Sequence, residues 1–212
     1  LLIHLAWSGL PNHNSKHHID VNLKNNKKFL SFMIKKGIGR IMVFGTCSEL
    51  GKKKGGLNEK TSSNPLNYYG KSKDLLRKWI FKKFKNKKIT IQWVRLFYIY
   101  GPGQHEKALL PSLDFALKKK KKTFKMSGGE QKRDFLHVKE VAKKIVKVAE
   151  RKNLKGIIHI CKGKSIKVKT LVKNYLSKKR KKIKIQYGYY PYNKLESMNF
   201  WGIDSKNIFY KN

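Results

Sequence analysis

Apolar and polar positions follow two rhythms along the 212 residues. LLIHLAW at residues 1–7 is a short apolar run that reads as a strand. Over residues 18–36, Ile19, Leu23, Phe29, Leu30, Phe32 and Met33 recur at near-helical spacing, and Gly37 stands where that helix should end. RIMVFGT, residues 40–46, is apolar through its middle, as a strand covered on both faces must be. Residues 47–64 are polar and glycine-rich and read as a loop. Residues 66–85 predict a helix with Leu76, Ile80 and Phe84 on one stripe and Trp79 beside it. ITIQWVRLF, residues 89–97, is the next strand. This β-α-β-α-β succession predicts an α/β fold with a doubly wound parallel sheet. Ligands of such sheets bind at the carboxyl ends of the strands. HLAW, GTCSELG and RLFYIYGPG all fall there.

The rhythm changes after Gly103. ALLPSLDFALKKK predicts a helix interrupted early by Pro111, and TFKMSGG a short strand and turn. Val138, Val141, Ile145 and Val148 align on a helix over 138–150, and GIIHI at 156–160 is another buried strand. The remainder mixes short elements and carries an aromatic cluster, Tyr187, Tyr189, Tyr190 and Tyr192. No internal repeat is evident, and the lysine runs are the only low-complexity feature.

Composition adds less than it first promises. The net charge of +39 invites a polyanion partner, but six arginines stand against 45 lysines. Arginine is the residue of bidentate phosphate and base contacts. Lysine here fills nearly every polar position, with abundant Asn and Ile, as AT-rich codons would produce. The run Lys118 to Lys122 reads as a solvated helix end, where cations suit the dipole. Cys47 and Cys161 have no metal spacing and His17 and His18 no acidic or Cys partner, so no metal is expected. No apolar run reaches the ~18 residues that span a bilayer, and the apolar start lacks the basic region of a signal peptide. A cytoplasmic protein without membrane or specific nucleic-acid partner is expected.

In PLNYYGKSK, residues 65–73, Tyr69 and Lys73 share one helix face. With about a quarter of all positions basic, that spacing alone carries little. Its neighbours carry more. HLAW (4–7), GTCSELG (45–51), PLNYYGKSK, RLFYIYGPGQ (95–104) and RDFLHVKEVAKKI (133–145) occur in this order. In them the chain resembles the extended short-chain dehydrogenase/reductases that act on nucleotide sugars, the NAD-dependent epimerase/dehydratase group, over nearly its whole length.

The resemblance implies a Rossmann-like domain over residues 1–103 and 135–160, and a smaller α+β substrate-binding region over 104–134 and 161–212. It implies Tyr69 as proton carrier, assisted by Thr46, with Lys73 lowering the phenol's pKa and holding the cofactor ribose. His4, Leu5, Ala6 and Phe97, with Tyr69 and Lys73, would line NAD or NADP. Tyr98 and Arg133 would bind a nucleotide-diphosphate sugar, Arg133 through the diphosphate; for Arg133 the plain alternatives are a surface charge or a salt bridge with Asp134. His4 is equally a packed histidine, Cys47 an inert thiol and Arg95 an organiser of the strand end. A homodimer is implied, with Trp79 and Phe81 as interface or core.

Departures from the pattern narrow the expectation. The glycine-rich phosphate loop and the first strands are not in the sequence, and the usual final helix is missing, so the chain reads as a piece of a longer protein or as a catalytically incomplete remnant. Tyr98 replaces the usual Asn and Leu50 a Tyr. Dehydratases carry Asp-Glu after the catalytic Thr; Cys47-Ser48 stands here. That leaves a 4-epimerase or a 4-keto reductase of deoxysugar or surface polysaccharide synthesis, with a basic polyanion-binding protein as the reading from charge.

Overall fold

The computed structural model describes residues 1–209; 210–212, the last of the expected substrate-side range, lie outside the described residues. The chain opens with β1 (Leu2–His4), then a π-helical stretch His18–Leu23 running into α1 (Lys24–Lys35), and β2 (Arg40–Thr46). A 3₁₀ turn, Cys47–Leu50, leads to β3 (Gly55–Leu57), α2 (Tyr68–Lys83), β4 (Thr90–Leu96) and β5 (Tyr98–Tyr100). Then come α3 (Leu109–Lys118), β6 (Thr123–Lys125), β7 (Lys132–Arg133), β8 (Phe135–His137), α4 (Val138–Glu150) and β9 (Gly156–Ile160). β10 (Ile166–Lys167), α5 (Val168–Lys178), β11 (Lys184–Gln186) and β12 (Phe200–Gly202) complete the order.

β1, β2, β4 and β9 form one parallel sheet in that order. Side chains alternate across it. Ile41, Val43, Ile91 and Trp93 face α1 and α2, where they meet Leu30, Leu76 and Ile80. Met42, Phe44, Val94, Ile158 and Ile160 face the opposite way onto Val141 and Val148 of α4. Both faces are therefore covered, which is why the strands read as unbroken apolar runs. Each fully buried aliphatic side chain contributes ~1.5–3 kcal/mol. Trp79 and Phe81 pack, half-buried, against the first of these cores. A separate core joins Leu110, Leu113 and Ala116 of α3 to Phe124, Val168, Leu171 and Val172. Among the described residues no helix is long and apolar enough to cross a membrane.

Four expectations need correction. The strand at the start spans only Leu2–His4, and the loop at 47–64 contains a 3₁₀ turn and β3. Pro111 does not interrupt α3: it lies in the first turn, where backbone N–H groups have no intrahelical acceptor. A repeat does exist. α3–β6 and α5–β11 are the same helix-turn-strand unit, and β6 pairs in parallel with β11. Only the lysine runs betray it in the sequence, because the apolar residues of the two copies differ.

Candidate active site

The site forms where β2 ends and α2 begins. Asn67 caps α2, its Oδ1 accepting the Gly70 N–H at 2.7 Å. Gly70 lets the helix press on the turn after β2, since a Cβ there would stand 2.6 Å from the Ser48 carbonyl oxygen. The first turn of α2 thus carries Tyr69 to Thr46. Ser72, fully buried, donates its hydroxyl to the Tyr69 carbonyl at 2.8 Å.

The turn itself hangs on a residue whose role the sequence reading missed. Glu49 is fully buried, and its carboxylate accepts from Thr46 N (2.8 Å), Trp93 Nε1 (3.1 Å) and Arg95 Nε (2.9 Å). Arg77 Nε of α2 lies 3.3 Å away. Thr46 returns the bond by accepting the Ser48 N–H at 3.2 Å, which completes a capping box. One carboxylate thereby fixes β2, β4 and α2 around the Thr46 hydroxyl. The signal was present: T-x-x-E is the capping-box pattern.

Lys73 is 5% exposed. Its Nζ donates to the Phe44 carbonyl at 2.8 Å and sits 3.7 Å from the Trp7 ring centroid. Burial lowers its pKa from the usual 10.5 to about 7, with Glu49 pulling the other way. Burial pushes the Tyr69 phenol up to about 12, and the hydrogen bond with Thr46 offsets only part of this. The expected lowering of Tyr69 by Lys73 is therefore corrected: desolvation governs the phenol, and the ammonium is engaged by a carbonyl and a ring.

Tyr69 stands in an aromatic box. His13 stacks on it at 5.0 Å and 17°, Trp7 meets it edge-on at 6.1 Å and His18 tilts at 5.3 Å. Trp7 Nε1 donates to His18 Nδ1 at 3.1 Å, so His18 Nε2 carries the proton given to the Asn12 carbonyl at 2.8 Å. His17 bonds Ser8 Oγ at 2.8 Å. These histidines are spent on the loop, and among the described residues no cluster of His, Cys, Asp or Glu could hold a metal.

The other expected residues divide. Arg133, 3% exposed, lies between the rings of Tyr98 (5.4 Å) and Phe200 (5.2 Å). It donates to Glu196 Oε2 at 2.8 Å and to the Lys132 carbonyl at 2.9 Å. The alternative of a bridge to Asp134 does not occur. Asp134 accepts from the backbone N–H groups of Lys162 (2.7 Å), Gly163 (3.0 Å) and Gly202 (3.1 Å) instead. Tyr98 is half-buried beside the guanidinium, and its phenol is pushed up by burial. Cys47 is raised to about 12, again by burial, which makes it a poor nucleophile. His4 donates Nε2–H to Asn26 Oδ1 and packs on Phe29. Leu5 and Ala6 are exposed just past the end of β1, open to a ligand. The Phe97 ring is 6% exposed and packs on His159 and Phe200, so only its backbone, just past the end of β4, stands toward the strand ends.

Comparison with known proteins decides the class. The model of the NAD dependent epimerase/dehydratase family matches residues 1–161. The chain belongs to this family. It is 30% identical over 202 residues, 95% of this chain and 74% of the relative, to dTDP-6-deoxy-L-talose 4-dehydrogenase (NAD(+)) of Aggregatibacter actinomycetemcomitans. It is 26% identical over 166 residues to GDP-6-deoxy-D-talose 4-dehydrogenase of the same organism, across 76% of this chain and 56% of that enzyme. Among solved structures, UDP-N-acetylglucosamine 4-epimerase from Methanobrevibacter ruminantium M1 superposes with a TM-score of 0.84 at 22% identity, over 99% of this chain and 70% of that one. That likeness speaks to the fold: a Rossmann-like parallel sheet.

The family's cofactor is NAD, and the donor set fits part of it. Lys73, the Tyr69 phenol and the exposed Leu5–Ala6 backbone sit together at the carboxyl edge of the sheet, as ribose hydroxyls and a nicotinamide require. A glycine-rich turn for the dinucleotide phosphates is not among these 212 residues.

Proposed function

We propose that this protein is an NAD-dependent oxidoreductase that interconverts a hydroxyl and a ketone at C4 of a nucleotide-linked deoxysugar, the 4-keto reductase of the two readings the sequence left open. The observation that carries this is the convergence of Thr46, Tyr69 and Lys73 at the end of β2 in a chain of this family. The similarity to two 4-dehydrogenases supports reductase over epimerase.

When bound, NAD exchanges a hydride with the sugar carbon. The residues handle the proton. In reduction, the Tyr69 phenol gives its proton to the carbonyl oxygen, which becomes the hydroxyl; in oxidation the phenolate takes it back. A phenol held near 12 is protonated at neutral pH, the form that reduction uses. Thr46 orients the same oxygen. Lys73 would grip the ribose and, titrating near 7, changes charge at little cost when the phenol loses its proton. Arg133 has five N–H groups, more than Glu196, Lys132 and the Tyr98 hydroxyl use, for the sugar nucleotide's diphosphate. The substrate region would draw on residues 104–134 and 161–209.

The test is incubation with NAD and dTDP-6-deoxy-L-talose, followed by reduced-nicotinamide absorbance. A 4-dehydrogenase makes one reduced nicotinamide per sugar oxidised, and Tyr69→Phe abolishes it. An epimerase alters the sugar with no net change in absorbance, which would overturn the reductase reading.

A further inference from the structure

The lysine runs that the nucleotide-sugar reading leaves unused meet in space. Each closes one copy of the helix-turn-strand unit, and the strands that follow are paired, with Thr123 opposite Lys184. Lys118 to Lys122 and Lys178 to Lys182, five basic residues each, therefore lie side by side, and all ten are exposed. Among the described residues only Lys179 of the ten is in an ion pair, with Asp114 at 2.6 Å. A helix dipole accounts for a cation or two at each end, within the last turn.

The turns argue further. α1, α3 and α5 close with the same two bonds. Gly37 N reaches Ile34 O and Ile38 N reaches Met33 O; Lys120 N reaches Leu117 O and Lys121 N Ala116 O; Arg180 N reaches Ser177 O and Lys181 N Leu176 O. The residue at the centre has left-handed φ: +88° at Gly37, +51° at Lys120 and +51° at Arg180. Glycine is the unstrained residue there, and α1 uses it. Ten of the chain's 16 glycines occupy such positions. α3 and α5 hold cations against that preference, at the same place in adjoining turns. A chain-wide surplus of lysine explains cations at indifferent sites, not these.

Beside the runs lies an open groove of about 1570 Å³ between α3, β6 and α5. Lys118, Lys121, Lys122, Lys178 and Lys179 line it together with Phe115 and Tyr175, and two carboxylates, Glu106 and Asp114, stand among them. Phe115 is 54% exposed, with the Nζ atoms of Lys119 and Lys121 at 5.9 and 5.7 Å from its ring. Thr46, Tyr69, Lys73, Tyr98 and Arg133 are not part of it.

We propose that this groove binds single-stranded nucleic acid without sequence preference, with phosphates on the paired lysine runs and a base on the exposed ring of Phe115. A concave groove admits a strand where a flat membrane surface would not enter. Aromatic faces favour a chain that carries bases over bare phosphate. Lysine point charges bind phosphate without reading base edges. The groove lies in the part of the chain expected to take the sugar nucleotide, but it shares none of Thr46, Tyr69, Lys73, Tyr98 and Arg133, and the oligonucleotide test does not depend on that reading.

The experiment is fluorescence anisotropy of a labelled oligothymidylate on the protein across a salt series. Lys120→Gly/Arg180→Gly should raise Tm, because both turns gain their unstrained residue. The same variant should make the slope of log K against log salt shallower by about 1.4, or about 0.7 per lost contact. Lys24→Gln/Lys28→Gln removes the same charge from exposed positions of α1 and should leave the slope unchanged. Phe115→Ala should weaken the oligonucleotide about tenfold and leave inorganic polyphosphate binding unchanged. An equal loss in the α1 control would show diffuse charge and overturn the site. So would an unchanged slope in a more stable glycine variant, or tighter binding to phosphatidylglycerol vesicles than to the oligonucleotide. Equal weakening of both ligands by Phe115→Ala would overturn the base contact.

Discussion

Lys73 and the ten basic residues at the ends of α3 and α5 place similar chemistry at opposite extremes of solvent. Lys73 is 5% exposed, rests on a carbonyl and an aromatic ring, and titrates near 7. The ten are in water and act by number. In the roles proposed for them, the buried amine would work by a change of charge within reach of neutral pH, the exposed array by keeping its charge. Glu49 shows the third arrangement. It too is fully buried, but backbone and side-chain donors from three elements surround it, and it stays structural. Glu49 takes donors from three elements, whereas Lys73 has one carbonyl acceptor and a ring.

That comparison breaks first at Tyr69 and Glu49. Tyr69→Phe should lower kcat by ~10²–10⁴-fold while leaving the fold intact, as circular dichroism and stopped-flow hydride transfer would show. Glu49→Ala should do the reverse, costing ~3–5 kcal/mol in chemical denaturation by stranding Arg95 and Arg77. If Glu49→Ala were stable and inactive, the division between them would be wrong.

Lys73 sharpens it through pH. Its folded pKa, about 7, lies below the ordinary 10.5. Below pH 7 both states are charged and the folded state bears the full penalty. Between the two values the unfolded chain binds the extra proton, so stability rises with pH, by up to about 1.4 kcal/mol per unit from this group. Lys73→Met should remove that rise from urea midpoints measured across the window. Lys121→Gln and Lys181→Gln should each change stability by less than about 0.5 kcal/mol at any pH.

The strands and helices of the sheet were legible because their faces are uniformly apolar. β9 and α4 match the expected residues, and RIMVFGT is β2 to the residue. Pro111 misled because its meaning depends on which turn it occupies. The repeat escaped because Phe115–Leu117 and Tyr175–Ser177 share a backbone, not a composition. That Tyr69 and Thr46 meet follows the expected motif order, but the sign of the phenol's shift was not legible, since burial is a property of the packed box of Trp7, His13 and His18. The resemblance put Phe97 at the cofactor; that its ring turns into the core is set by packing on His159 and Phe200.

The most direct test of the catalytic cluster is titration of NADH into the protein and its Lys73→Met variant, following reduced-nicotinamide fluorescence. Saturable binding in the wild type, lost in a variant that remains folded, is the predicted result. Equal binding by both would contradict the assignment of Lys73 to the cofactor and with it the account of the site.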